Sequence, residues 1–220
     1  MGSDWLIWQL CDSAFPCGGF AHSGGLETAW RYGTVDGVAG LEAYLRAALV
    51  QAARGPAVFV RAAHDALALV GDIDAACDAF TSNHVANRAS RAQGMALLAA
   101  AARIFGAPDV NELHTRLRAA RSPCHLAPVF GGVARALGVD AATTDRAYLF
   151  ITLRGLVSAA VRLGAVGPTD GQRVQHRLAG WAATLEGGGG GDVERAAQTA
   201  PLQEIFQGAH DRLYSRLFQS

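Results

Sequence analysis

The chain contains no lysine: all 19 basic residues among its 220 are arginines. A self-contained P-loop nucleotidase uses a lysine to reach the phosphates of its nucleotide, so the composition argues against that class of enzyme. The 19 acidic residues balance the arginines and give a formal net charge of zero at pH 7. A neutral chain has no overall electrostatic attraction to nucleic acid or to an anionic membrane surface. We therefore expect no nucleic acid and no membrane among its partners.

Long apolar runs and cysteines are also scarce. The longest apolar run, residues 95–102, has eight members, far short of the roughly 20 that span a bilayer. The sequence does not open with a basic segment followed by an apolar stretch, so we expect no secretory signal. Its four cysteines are widely spaced, which is typical of free thiols in a reducing compartment. These features predict a soluble, cytoplasmic protein.

Glycine, in contrast, is concentrated in an N-terminal loop, residues 12–27, together with a proline and small polar residues. The pairs Gly18 with Gly19 and Gly24 with Gly25 permit left-handed backbone conformations or close approach by another group. Polar side chains lie next to that backbone: His22, Ser23 and Glu27. The composition predicts that this loop holds a protein surface or a small ligand.

Two other chemistries are open at the loop. Residues 21–25 loosely copy the G-x-S-x-G nucleophile elbow, with Ser23 as the nucleophile of a serine hydrolase and His22 beside it. That elbow needs the strands of an α/β sheet, which we do not expect from the short segment before Ser23. Thiolates and imidazoles bind nickel, zinc and copper, although the spacing here is not that of a compact zinc site. A nickel-binding carrier would use these residues: Cys11, Cys17, His22, Cys124 and His125.

Helical periodicity runs through nearly the whole chain, without lasting two-residue alternation. It predicts an all-α fold, a single domain over residues 1–220 with about eight to ten helices and a C-terminal helical tail. Capping residues, glycines and prolines indicate the helix ends. In the first half of the chain, the predicted boundaries are an N-cap at Asp36, a break at Gly55 and Pro56, a second helix to about residue 70, and an N-cap at Asp72 for a third. Two further helices are predicted at 83–105 and 109–120. In the second half, we predict a helix from Pro123 to Gly138, a helix at 145–163 capped by Thr143 or Thr144, and a helix that starts at Pro168. The glycines at 187–191 predict a flexible linker to a docking tail, residues 201–220.

Two arginines, Arg154 and Arg162, lie on the most apolar predicted helix. Arginine is seldom buried without a partner, so each needs a carboxylate, a backbone carbonyl or a partner surface. The tail combines apolar residues with interface-favoured ones: Leu213, Tyr214, Arg216, Leu217 and Phe218. An apolar segment of this kind docks either within its own domain or on a partner protein.

Five ordered motifs resemble those of one protein family. In the loop, Cys-Asp-Ser at 11–13, Pro16, Gly-Gly-Phe at 18–20, His-Ser at 22–23 and Gly-Leu-Glu at 25–27 follow the order of its N-terminal signature. The other motifs are Asn-Arg-Ala-Ser at 87–90, His-Leu-Ala-Pro-Val-Phe-Gly at 125–131, Arg-Gly-Leu-Val-Ser-Ala-Ala-Val-Arg-Leu-Gly at 154–164 and His-Asp-Arg-Leu-Tyr-Ser-Arg-Leu-Phe at 210–218. Together they resemble the urease accessory protein UreF family over most of the chain. Neither Cys11 nor Cys17 belongs to the family pattern.

The resemblance implies a helper, not an enzyme, in nickel insertion into apo-urease, without a cofactor of its own. Such proteins act as a homodimer joined to a UreD/UreH-type scaffold protein, and that pair recruits the nickel-carrying GTPase UreG. The resemblance therefore implies partner contacts by the loop and the apolar helix, and scaffold contact by the tail. The residues assigned to these contacts are Asp12, Ser13, Pro16, Gly18, Gly19, Phe20, His22, Ser23, Glu27, Arg154, Arg162, Tyr214, Arg216, Leu217 and Phe218.

Overall fold

The computed structural model describes residues 3–185, 187 and 191–220, which fold into a helical bundle. No β-strand occurs in this described part of the chain, so the predicted all-α fold is confirmed. The helices are α1 (Ser3–Cys11), α2 (Leu26–Arg31), α3 (Gly37–Arg54), α4 (Pro56–Asp65), α5 (Val70–Phe80), α6 (His84–Phe105), α7 (Pro108–Ala119), α8 (Leu126–Ala136), α9 (Ala141–Arg162), α10 (Pro168–Ala183) and α11 (Pro201–Ala209). Short 3-10 helices lie at Gly19–Ala21, Leu67–Leu69, Val193–Arg195 and His210–Arg212.

Helix α9 is the central element, as its apolar pattern predicts. Tyr148 packs in one apolar cluster with residues of α4, α6, α7 and α8, whereas Leu153 belongs to a second cluster with α2, α3 and α10. The exposed positions Ser158 and Arg162 are four residues apart, so they share one face of the helix. The described helices include none with the length and apolar character of a membrane span.

Several predicted helix boundaries are confirmed. The side chain of Asn83 caps α6 by accepting the N–H groups of the second and third residues after it, at 3.0 and 3.2 Å. That helix ends before Gly106, whose φ of 60° is left-handed. Gly55 separates α3 from α4, and Pro56 and Pro168 occupy first helical positions. Local residue chemistry is sufficient at these sites because the cap and the proline act within one turn.

Predicted boundaries on either side of α5 are wrong. Helix α4 ends at Asp65 rather than near residue 70, and a 3-10 turn follows it. Helix α5 then starts at Val70, which places Asp72 in its first turn instead of at its N-cap. The 3-10 turn leads directly into α5, so no polar cap is needed between them.

The predicted starts of α8 and α9 are also wrong. Cys124 has a φ of 61°, which a right-handed helix cannot include, so α8 begins after it rather than at Pro123. Asp140 caps α9, its carboxylate accepting the N–H of Thr143 at 2.9 Å. Thr143 and Thr144 therefore lie inside the helix rather than at its N-cap.

The glycine linker predicted at 187–191 is partly described. Residues 188–190 lie outside the described part of the chain, so their predicted flexibility stays a prediction. Before them, the N–H of Gly187 donates to Asp145 on α9 at 2.7 Å. After them, a Cβ on Gly191 would lie 3.0 Å from the backbone nitrogen of Ala62, so this glycine packs closely against α4. The connection is held on both sides by the bundle.

Candidate partner-binding site

The N-terminal loop is anchored at its first turn. The carboxylate of Asp12 accepts the N–H of Ala14 at 2.9 Å. Phe15 is buried and its ring stacks on Phe105 of α6, with centroids 6.1 Å apart. Phe20, in the 3-10 turn, has 69% of its surface exposed. The loop thus uses one aromatic residue for anchoring and presents another to solvent.

Gly25 makes the close approach that the sequence predicts, and the approaching group belongs to the chain itself. Its φ is +87°, and a Cβ there would lie 2.9 Å from the backbone nitrogen of Gln207 on α11. The hydroxyl of Tyr44 donates to the carbonyl of Gly24 at 2.7 Å. The glycine pair therefore allows the tail helix to pack directly against the loop backbone.

The last residues of the tail continue this contact. The N–H of Ser23 donates to the main-chain oxygen of Ser220 at 2.5 Å, and the N–H of Gln219 donates to the carbonyl of Ala21 at 2.8 Å. A ring nitrogen of His22, Nδ1, lies 2.5 Å from the Ser220 hydroxyl. Burial, followed by electrostatic repulsion from the His210 and Arg88 side chains, lowers the pKa of His22 below its usual value. His22 thus bonds the tail as a neutral imidazole.

Glu27 joins the loop to the tail from inside the fold. Its side chain is fully buried and accepts the N–H groups of Leu217 at 2.8 Å and Phe218 at 3.1 Å. The buried ring of His210 lies 3.2 Å from the same carboxylate. A buried carboxylate is tolerated only when such partners satisfy it. The glutamate of the loop motif is therefore an internal anchor for the tail.

Arg154 and Arg162 find backbone carbonyls rather than carboxylates. Arg154 donates to the carbonyl of Cys11, and Arg162 donates to the carbonyl of Phe20. The Arg162 guanidinium also lies over the ring of Phe218, 4.5 Å from its centroid. Among the described residues neither arginine forms an ion pair, so both positive charges remain uncompensated by contact. Arg154 thus holds the end of α1, where the loop begins, and Arg162 holds the middle of the loop against α9.

A groove of about 400 Å³ lies between the loop and helices α6, α8, α9 and α11. Gly155, which has no side chain, and Ser158 form its small-residue wall on α9, whereas Gln93, Gln203 and Gln207 contribute amides. The groove brings together residues from two predicted contact elements: Asp12, Ser13, Gly19, Phe20, His22, Arg154 and Arg162.

The remaining predicted site residues lie elsewhere. Gly18 and the exposed Pro16 are in the loop but do not line the groove, and Ser23, Glu27 and Phe218 are buried beneath the surface. In the tail, Tyr214 is fully exposed and Leu217 is 51% exposed, while Arg216 binds Asp211 at 2.9 Å. The tail thus docks within its own chain, one of the two alternatives open from the sequence, and still presents exposed side chains.

Sequence reasoning missed Gln51 of α3, which secures the segment before α11. Its side-chain oxygen accepts the N–H groups of Thr199 and, at 2.9 Å, Ala200, and its amide nitrogen donates to Glu204 at 3.2 Å. The available signal was a polar residue within the apolar face of an alanine-rich helix. Gln51 is 8% exposed, and such burial requires the hydrogen bonds that it makes.

The metal alternative gains no support from the geometry. Within residues 3–185, 187 and 191–220, no three His, Cys, Asp or Glu side chains form a cluster suited to a metal ion. Burial raises the pKa of both Cys11 and Cys124 to about 11, which keeps these thiols protonated at neutral pH. Both ring nitrogens of His125 are engaged, by Ser90 at 3.1 Å and by Asp78 at 2.9 Å.

The serine hydrolase alternative meets a similar obstacle. Ser23 is fully buried, and its hydroxyl donates to the main-chain oxygen of Ser220 at 3.1 Å. His22 bonds the Ser220 hydroxyl instead of Ser23. A nucleophilic serine needs an adjacent base and access to substrate, and this arrangement gives Ser23 neither.

The chain is similar to known proteins along its length. The UreF family model matches residues 35–179. The urease accessory protein F of Arabidopsis thaliana is 39% identical over 221 aligned residues, which cover 98% of this chain and 92% of that protein. The chain belongs to the UreF family.

Two further UreF relatives support the same assignment. Urease accessory protein F of Oryza sativa subsp. indica is 37% identical over 222 residues, covering 97% of this chain and 84% of the relative. Urease accessory protein UreF of Arthrobacter sp. (strain FB24) is 31% identical over 214 residues, which cover 96% of this chain and 95% of that protein. The family model spans neither the N-terminal loop nor the tail, whereas the alignment with the Arabidopsis protein covers 98% of this chain.

Proposed function

We propose that this UreF-family chain is a non-catalytic, cytoplasmic adaptor that links a UreD/UreH-type scaffold to the UreG GTPase during nickel insertion into apo-urease. The observation that carries the proposal is the composite surface on which the loop, α9 and the tail meet. Arg162 contacts all three, since it lies on α9, bonds Phe20 of the loop and covers Phe218 of the tail. A change in any one element is therefore transmitted to the other two.

The division of labour follows from the residues. The chain has no lysine for a P-loop, and the loop motif uses Ser23 and Glu27 to hold the tail. Nucleotide hydrolysis would thus belong to the GTPase. The adaptor would act by binding one state of the GTPase more tightly than another, which shifts the population of states.

The contacts divide into exposed and supporting residues. We assign partner binding to the groove side of the site, including Asp12, Ser13, Phe20 and the two arginines of α9. We assign scaffold binding to the exposed tail residues Tyr214, Arg216 and Leu217. Ser23, Glu27 and Phe218 act indirectly because they keep the loop and tail together. We further propose that the chain works as a homodimer.

The direct test is urease activity in cells that express apo-urease and the other accessory proteins with nickel present, with and without this chain. We expect activity to depend on the chain, and full activity in its absence would contradict the adaptor function. Co-purification with the scaffold and with UreG, together with the mass of the purified chain by light scattering, tests the partners and the homodimer.

A further inference from the structure

Arg88 is the outward-facing member of the motif at residues 87–90. Asn87 and Ser90 bond within the fold, to the end of α5 and to the start of α8 respectively. Ala89 is buried. Arg88, in contrast, has 55% of its side chain exposed. Its position in the motif therefore needs an explanation outside the packing of α6.

Arg88 contacts the carboxylate of Asp211. One nitrogen of its guanidinium lies 3.0 and 3.1 Å from the two carboxylate oxygens of Asp211, a tail residue. The ring of His84 lies 3.4 Å from the same carboxylate. Asp211 also bonds Arg216 of the tail at 2.9 Å. The α6 side of this cluster thus consists of two cationic or cation-forming groups that bind an anion.

A cleft of about 530 Å³ extends along α6 from this point. His84, Arg88 and Arg91 line it, and none of the described residues that line it is acidic. Arg91 is exposed and forms no ion pair with a described residue. The nearby Asp78 is engaged by His125 and Asn87, at 2.9 Å each. Met95 adds an apolar edge, with 52% of its surface exposed.

We propose that the cleft formed by His84, Arg88 and Arg91 binds an acidic segment of a protein partner, and that Asp211 competes for Arg88 at the edge of this cleft when the tail is docked. The bound Asp211 identifies carboxylate as the matching chemistry, since one guanidinium nitrogen of Arg88 contacts both of its oxygens and hydrogen bonds between ionised groups are the strong ones. Arg91 supplies positive charge that forms no ion pair with any described residue, although it lies close enough to Asp78 to help lower the pKa of that carboxyl. The inference rests on the proposed adaptor function only in assigning the segment to a maturation partner.

This arrangement couples partner binding to the tail. An acidic segment and Asp211 compete for Arg88, so a bound segment weakens one of the contacts that keep the tail docked. By thermodynamic linkage, tail docking lowers the affinity for the segment by the same factor by which the bound segment lowers the equilibrium constant for tail docking. The cleft would give a partner a means of acting on the loop, because the same tail is joined to His22 and Glu27.

The test is fluorescence anisotropy with a labelled octapeptide of alternating aspartate and glutamate, titrated with the full chain at low ionic strength. We expect Arg91→Ala to weaken binding about tenfold, the factor for one lost charge-assisted contact. We expect Asp211→Asn to strengthen binding about threefold by removing the competitor. Arg173→Ala is the matched control, because Arg173 is an exposed arginine on α10 outside the cleft. Circular dichroism confirms that each variant is folded.

Three results would overturn the proposal. Equal weakening by Arg91→Ala and Arg173→Ala would mean non-specific attraction. Unchanged or weaker binding by Asp211→Asn would show that Asp211 does not compete for Arg88. Displacement of the peptide by inorganic pyrophosphate at lower concentrations than by unlabelled peptide would identify a phosphate site instead. None of these measurements uses urease. A result that contradicts the acidic-segment proposal can therefore be distinguished from a result that contradicts the adaptor function.

Discussion

Glu27 and His210 are both fully buried, and their side chains meet at 3.2 Å although 183 residues separate them in sequence. The same carboxylate accepts the main-chain N–H groups of Leu217 and Phe218. Removing any of these donors would leave part of a buried carboxylate unsatisfied. The N-terminal loop and the tail are therefore one structural unit.

Glu27→Gln should loosen this unit. Glutamine keeps one acceptor oxygen but places an amide donor among groups that themselves donate hydrogen bonds. We expect a loss of about 1–3 kcal/mol in the free energy of unfolding, measured in urea. Glu42→Gln is the control, since Glu42 forms an exposed ion pair with Arg177 and should change stability little. Equal effects of the two substitutions would contradict an anchoring role for Glu27.

Gly25→Ala should release the tail. Alanine at a φ of +87° is strained, and its Cβ would also meet Gln207 at 2.9 Å. Gly33 has a similar φ of +73° but open space around it, so Gly33→Ala isolates the conformational cost of about 1–2 kcal/mol. We expect Gly25→Ala to be less stable than Gly33→Ala and to lose tail residues first in limited proteolysis. Equal stability and protease resistance would refute the close packing at Gly25.

Alkaline pH should destabilise the fold through its buried thiols. Burial raises the pKa of Cys77 from 9.0 to about 12 and that of Cys124 to about 11. The unfolded chain therefore loses these protons at lower pH than the folded chain does. This contribution to stability is complete below pH 9 and disappears as pH rises through 11 to 12. Urea unfolding between pH 8 and pH 11 should show the decline.

Cys77→Ala separates this thiol from the other titrating groups. The variant should be less stable at pH 8 because it loses buried volume. Its stability should nevertheless fall less steeply with pH than that of the parent chain. An identical slope would show that Cys77 does not contribute to the alkaline loss.

Arg162→Ala should reduce urease activation more than it reduces stability. The guanidinium lies 4.5 Å from the Phe218 ring centroid, and losing such a contact costs about 0.5–1 kcal/mol. If Arg162 also anchors a partner, activation in cells should fall about tenfold. Arg173→Ala should leave activation unchanged. A loss of activity that merely matches the loss of folded protein would count against a partner contact.

Exposed tail residues should affect scaffold binding without affecting folding. Tyr214 is fully exposed and Leu217 is 51% exposed, so alanine at both positions should leave the unfolding midpoint nearly unchanged. Affinity for the scaffold, measured by biolayer interferometry, should fall about tenfold. Removal of residues 216–220 should weaken binding further, since it also deletes Phe218. Wild-type affinity for the double variant would refute the tail assignment.

Most of the helices could be predicted from the sequence, because caps and apolar periodicity act within a few residues. Asn83 and Gly106 enclose α6 as expected. The start of α8 could not be placed correctly, because it depends on a left-handed Cys124. The start of α9 was misplaced although its cap, Asp140, lies directly before the helix. The carboxylate of Asp74, which accepts the N–H groups of Cys124 and His125 at 2.6 and 2.7 Å, is distant in sequence.

The helical class and the special backbone of the loop follow from the amino-acid sequence alone, as do the residues that carry the motifs of the loop. The partners of those residues were decided by tertiary structure. Gly25 had to admit a close neighbour, but only the fold shows that the neighbour is α11. Likewise, Arg154 and Arg162 required partners, and the fold supplies carbonyls from the end of α1 and from the loop. A local sequence pattern indicates which kind of contact a residue requires, whereas long-range packing determines which distant group makes that contact.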